Sequence, residues 1–245
     1  MAQWLGRHGL TAGTCAALLR ATVPPTVLPP LRAGNAPVIP DGPAIWACLP
    51  DALAGQLPML RAEIARTARQ TTVVFDPGGT RHPVALTLVD VPPAGGGQGG
   101  PLVVCPTDGT VTDVLALAHE FGHALNHVAA GAQPIQPPMT REVCAFACEA
   151  LILRGLPTPL SDAAQALRLR HGARYLGAGR RRLLTALTTP GAPYDYGWNY
   201  PLAWGLARAL IRPAALPLLA DLLAARVTLA GVVDALPPDA MPQDG

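Results

Sequence analysis

Residues 110–130 read TVTDVLALAHEFGHALNHVAA, an apolar helical run that carries two histidines four positions apart with a glutamate directly after the first. No other stretch of the 245-residue chain constrains the fold as tightly. Leu115, Leu117, Ala118, Phe121 and Ala124 supply the apolar surround that buries such a helix. Thr110, with Asp113 three residues on, supplies a start signal, and the pattern predicts a helix reaching about Ala130. Four residues advance about 400° around a helix and about 6 Å along it. His119 and His123 therefore project from one face and can grip a single ion. Glu120 stands about 100° round from His119, beside such an ion without being forced to ligate it. Imidazole nitrogens suit zinc, and a carboxylate so placed can take a proton from water. The alternative is a pair of core histidines satisfied by hydrogen bonds.

A catalytic zinc takes three protein ligands and keeps one position for solvent. The next helical stretch, PMTREVCAFACEALIL, offers Glu142, and Glu149 follows two turns later on the same face. The economical assignment makes Glu142 the third ligand to one Zn²⁺ ion and Glu149 the carboxylate that orients a ligand histidine. The competing assignment pairs both glutamates with Arg141 or Arg154 at the surface. Against it, the flanking VCAFACEALIL is apolar on almost every face.

The rest of the chain reads as α+β and mostly helical. Helices are expected over about Leu10–Ala21 and Leu57–Arg69, from Thr140 to about Arg154, from Ser161, and over about Tyr200–Ile211 and Leu216–Leu236. Strand-like runs at Thr71–Phe75, Val84–Val91 and Leu102–Cys105 make a small sheet ahead of the histidine helix. Residues 22–43 are too proline-rich for regular structure and are expected to be a linker or surface wrap. The glycine-rich 92–100 reads as a flexible loop, and 237–245 as a disordered tail. One domain, residues 1–236, contains everything else. If the Leu102–Cys105 strand is the sheet edge, Cys105 at its end falls beside an extended substrate.

Composition narrows the function classes. Half the residues are hydrophobic and 14% are charged, which suits a folded globule rather than a disordered chain. The mean hydropathy of +0.28 raises the question of a membrane span. The best candidate stretch, 213–236, carries Asp221, Arg226 and Asp234, so none is expected. The basic residues are arginines without a single lysine, and they are scattered apart from Arg180, Arg181 and Arg182. Nucleic acid is not implied. Five cysteines without framework spacing, and no convincing export signal, point to a cytoplasmic location.

The stretch LVVCPTDGTVTDVLALAHEFGHALNH followed by EVCAFACE resembles the zinc metallopeptidases of the thimet oligopeptidase and oligopeptidase F family, and the resemblance covers about half of the chain. It implies a zincin-like catalytic core, with His119, His123 and Glu142 as zinc ligands, Glu120 as catalytic base and Glu149 as the second glutamate of the following helix. GAPYDYGWNYPLAWG is similar to that family's tyrosine-rich segment facing the metal. By that resemblance Tyr200 is the phenol that meets the developing oxyanion, and Tyr194 binds substrate. Independently, Tyr194, Tyr196, Trp198, Tyr200 and Trp204 are five of eleven aromatic residues in the chain, a concentration that marks a site and adds Tyr196 to the substrate-binding candidates. An aromatic anchor for the last helices is the plainer alternative.

The chain also departs from that pattern. It has no histidine in 183–193, places Asn126 where another histidine often stands, and lacks the large helical half of those enzymes. The expected activity is hydrolysis of peptide bonds in a peptide or unfolded polypeptide. Two other readings remain: a zinc-stabilised binding or regulatory module without chemistry, and one subunit of a heteromeric peptidase.

Overall fold

The computed structural model describes residues 1–22, 39–77, 79, 84–91 and 99–236. Most of the expected linker at 22–43, most of the glycine-rich loop at 92–100 and the whole of the tail at 237–245 lie outside them. Helices α1 (Ala2–His8), α2 (Ala12–Ala21), α3 (Gly42–Gln56) and α4 (Arg61–Gln70) lead into strands β1 (Thr72–Pro77), β2 (Leu86–Val91) and β3 (Gly100–Thr107). The remainder is helical: α5 (Val111–Ala130), α6 (Pro138–Gly155), α7 (Thr158–Arg174), a π-helical turn at Tyr175–Gly179, α8 (Arg180–Thr188), α9 (Asn199–Leu210), α10 (Leu216–Leu223) and α11 (Leu229–Ala235). The mostly helical α+β expectation therefore holds.

Helix α6 lies at the centre because its sequence leaves no other choice. From Met139 to Leu153 all but Arg141 are buried, and a helix that is apolar all round is stable only when surrounded. Its most extensive neighbours are α5 and α9, with α3 next. Helix α5 can approach closely because it carries Gly122 at the crossing. A Cβ there would stand 2.7 Å from the Ala145 Cα and 3.0 Å from the Cys148 Cβ. This contact brings the histidine face of α5 against the glutamate face of α6. The Asp113 carboxylate fixes the start of α5, its Oδ2 accepting the amides of Asp108, Gly109 and Thr110. A carboxylate at a helix N-terminus also meets the positive end of the helix dipole.

The sheet order is β1-β3-β2. Strand β3 runs parallel to β1, with Phe75 opposite Cys105, and antiparallel to β2, with Leu86 opposite Val104. The Leu102–Cys105 strand is thus the middle of the sheet, which corrects the conditional reading of it as the edge. Among the described residues β1 and β2 are the two edges, each without a strand partner on its outer side.

Other boundaries differ for local reasons. Residues 42 and 43, expected to close the proline-rich wrap, instead open α3. Asp41 caps it through the Ala44 amide at 2.9 Å, and Pro43 falls in the first turn, where no amide donor is needed. The expected Leu216–Leu236 helix is two helices, broken at Ala225, which takes the left-handed conformation with φ 54°. Thr140, read as a cap, is buried inside α6. Most of the buried apolar side chains form one cluster that includes residues from Trp4 to Val232. None of the helices is long and apolar enough to cross a membrane among the described residues.

Candidate metal centre

His119, Glu120 and His123 occupy the middle of α5, and Glu142 and Glu149 face them from α6. One donor atom each from His119, His123 and Glu142 lies within 4.8 Å of the others. His119 Nε2 is 3.3 Å from Glu142 Oε2, and His123 Nε2 is 3.7 Å from Glu142 Oε1. For metal–ligand bonds of about 2.0–2.1 Å, tetrahedral donors stand about 3.4 Å apart. The three side chains are therefore close enough together to hold one ion.

Their chemistry fits as well as their spacing. Glu149 Oε2 lies 3.1 Å from His119 Nδ1. A carboxylate on that nitrogen holds its proton there and turns the Nε2 lone pair toward Glu142. Between Nε2 and a carboxylate 3.3 Å away there must be a proton or a metal cation. Glu142 Oε2 is buried with His119 Nε2 as its neighbour at that distance, a contact without good hydrogen-bond alignment. A poorly aligned acceptor in that position is one that an ion would satisfy.

Titration behaviour carries the same message. Burial pushes the His119 ring toward neutrality, but hydrogen bonds and charge from Glu142 and Glu149 more than reverse this, so its pKa is held well above the usual histidine value. Glu142 is likewise penalised by burial, yet His123, His119 and the Tyr196 hydroxyl bring its carboxyl down to about 2. Burial dominates at His123 and lowers its pKa. Positive charge is therefore favoured on His119 beside Glu142, while His123 is kept neutral.

Glu120 is 6% exposed and is not one of the three converging donors. Its Oε2 accepts a hydrogen bond of 2.6 Å from the Thr87 hydroxyl on β2. The edge strand thus reaches the base candidate directly. Glu149 is fixed on its far side by Arg168 of α7, whose Nε stands 2.8 Å from Glu149 Oε1. Arg168 in turn stacks over Trp204, its Cζ 4.1 Å from the ring centroid.

The tyrosines separate into different roles. The Tyr196 hydroxyl donates to Glu142 Oε1 at 2.7 Å, so this residue touches a ligand. Tyr200 packs edge-on to Tyr196 and Phe146, and Phe146 packs on His119. Burial raises the Tyr200 pKa, with further contributions from Glu142, Tyr175 and Glu120. The phenol stays protonated at neutral pH, a donor in the neighbourhood of both carboxylates. Tyr194 turns elsewhere: its hydroxyl accepts from Asn199 Nδ2 at 3.2 Å, its ring meets Trp198, and it lines a separate cleft with Trp4, Arg7 and His8.

Cys105 is fully buried on the central strand, with its thiol pushed up to about 12 by burial and by Asp113 and Glu120. A shielded, protonated thiol in mid-sheet cannot line a substrate path, and the substrate-binding reading of Cys105 is withdrawn. Thr87, Arg168, Tyr175 and Asn199 belong to the site and were not singled out from the sequence. Tyr175 packs on Tyr200 and Phe146. Asn199 is fully buried, accepts from Trp4 Nε1 and donates to the Tyr196 carbonyl, which fixes the tyrosine segment over the ligands.

Comparison of the chain with family models, with curated proteins and with solved structures returned no match. The functional reading therefore rests on the residues and their geometry.

Proposed function

We propose that the chain is a zinc-dependent metallopeptidase, with His119, His123 and Glu142 holding the ion and Glu120 serving as general base. The observation that carries this reading is the separation of Glu120 from the ligand set: a third carboxylate, buried beside three converging donors, is held by Thr87. A purely structural zinc site closes its fourth position with another protein ligand and has no use for that arrangement. An ion bound there would supply Lewis acidity, bringing the pKa of a water toward 7 and polarising a carbonyl.

The chain's own residues do the remaining work. Glu120 takes the proton from the attacking water and passes it to the leaving amine nitrogen as the C–N bond breaks. The Thr87 hydrogen bond occupies Oε2 and orients the carboxylate during both transfers. Tyr200, protonated at neutral pH, donates to the oxygen that gains charge in the transition state. Glu149, clamped by Arg168, holds the His119 ring in orientation. Among the described residues β2 has no strand partner on its outer side, so an extended peptide added there as a strand would run alongside Glu120. The resemblance to the oligopeptidase family supports the same assignments.

A quenched fluorogenic peptide library tests the proposal. Cleavage abolished by a chelator, restored by Zn²⁺ and lost in a folded Glu120→Gln variant is the expected result. A variant as active as the wild type removes Glu120 from the mechanism, whereas no cleavage by any form favours the silent binding module.

A further inference from the structure

Four arginines line one surface cleft of about 360 Å³: Arg154, Arg168, Arg208 and Arg212, with Ile211 and Pro213 between them. No carboxylate lines it among the described residues. Arg168 is 4% exposed and forms the floor. It is held by Glu149 Oε1 at 2.8 Å, by the Phe146 carbonyl at 3.3 Å and by the Trp204 ring. Arg154 is fixed by one donor on the Ile211 carbonyl at 3.1 Å. Arg212 is exposed at the rim.

Gathering like charges in one cleft is costly unless something offsets it. Arg168 pays most, since burial and the nearby Arg208 and Arg154 all work against its charge, and Glu149 only partly compensates. Each guanidinium carries five N–H donors, so Arg154 and Arg168 retain donors beyond those already engaged. Both side chains are anchored before a ligand arrives, which lowers the entropy lost on binding.

From this arrangement we infer that the cleft binds a phosphoryl group. A carboxylate presents two coplanar oxygens and satisfies one guanidinium fork. A phosphoryl group presents three oxygens in a tetrahedral spread and can engage forks from different walls at once. Arg154 at the end of α6, Arg168 on α7 and Arg212 after α9 approach from three different elements. The volume exceeds what a lone phosphate needs and falls at the lower end of small-ligand sites, with Ile211 and Pro213 as the apolar surface for an attached group. The inference does not depend on the metal centre.

Calorimetric titration of the full chain, stripped of metal by chelator, distinguishes free phosphate from a phosphate monoester as the source. Inorganic phosphate and AMP are the two probes, at matched ionic strength in chloride. Saturable binding of either, weakened roughly tenfold or more in Arg154→Gln/Arg212→Gln, supports the site. AMP binding tighter than phosphate assigns it to monoesters, and equal affinity assigns it to the free ion. Both substituted residues are exposed, so circular dichroism of the variant should match the wild type and melting should drop by no more than the loss of the Arg154–Ile211 hydrogen bond, and Arg181→Gln/Arg182→Gln serves as a charge control outside the cleft. No saturable binding of either probe overturns the inference. So does binding that the Arg154/Arg212 variant leaves unchanged, or that the control pair weakens equally.

Discussion

Glu149 stands between His119 and Arg168, one carboxylate oxygen 3.1 Å from the imidazole Nδ1 and the other 2.8 Å from the guanidinium Nε. The chain of contacts runs across α5, α6 and α7 and is almost wholly shielded from water. It decides which nitrogen of His119 carries the proton, and therefore which one is left to ligate. A carboxylate placed there for stability alone would need only the arginine.

Replacing Glu149 with Gln keeps the shape but removes the charge that orients His119. Metal affinity should fall about 10- to 100-fold, read by competition with a chromogenic chelator. Glu149→Ala also strands the buried Arg168 and should cost about 3–5 kcal/mol of stability, read by urea denaturation. Unchanged metal affinity in Glu149→Gln would show that His119 needs no such partner.

Gly122 offers a test of how the site is assembled. Helix propensity alone predicts that Gly122→Ala stabilises by roughly 1 kcal/mol. The added Cβ would meet the Ala145 Cα at 2.7 Å, and neither backbone can give easily. Overpacking of this kind costs about 1–3 kcal/mol, so net destabilisation and weaker metal binding are expected, the latter because α5 and α6 are pushed apart. A variant more stable than wild type contradicts the packing account.

How far the sequence disclosed this arrangement depends on the range over which each signal acts. Helix α5 was legible because its apolar period, the Asp113 start signal and the histidine spacing all lie within one segment. The pairing of Glu142 and Glu149 with those histidines followed from a second helix whose apolar faces demanded burial. Helix α3 was obscured by prolines that read as breakers, although Pro43 sits where a helix tolerates one and Pro50 is carried within it. The break at Ala225 has no glycine or proline to announce it. Strand order was hidden too, because nothing local places β3 between β1 and β2. Thr87 and Arg168 reach the site from elements distant in sequence, and no spacing rule connects them to it.

Tyr196 and Tyr200 can be separated by kinetics. Tyr200→Phe should lower kcat on the order of 100-fold with little change in KM, the signature of a donor used only in the transition state. Tyr196→Phe removes the hydrogen bond to Glu142 Oε1 and should instead alter metal affinity. If the two variants exchange these behaviours, the oxyanion role passes to Tyr196.

His8 makes a prediction about pH. It is 4% exposed, both ring nitrogens lack hydrogen-bond partners, and it packs edge-on to Trp4. Burial, helped by Arg7, lowers its pKa from 6.5 to about 4. The unfolded chain therefore binds a proton more readily than the folded one. His8's contribution is complete above pH 6.5 and is lost as pH falls toward 4, with a span of at most roughly 3 kcal/mol. Denaturation midpoints for wild type and His8→Phe should diverge over that window, the variant losing less on acidification. Parallel profiles would show that His8 is solvated.

The central claim is that His119, His123 and Glu142 hold one ion while Glu120 does not. Metal content per chain, measured by mass spectrometry of protein purified with excess Zn²⁺ and then desalted, tests it most directly. The account predicts close to one zinc in wild type and in Glu120→Gln, and almost none in His119→Ala/His123→Ala or in Glu142→Ala, with all variants shown to be folded by circular dichroism. Zinc retained when these ligands are removed, or lost when only Glu120 is changed, would contradict it.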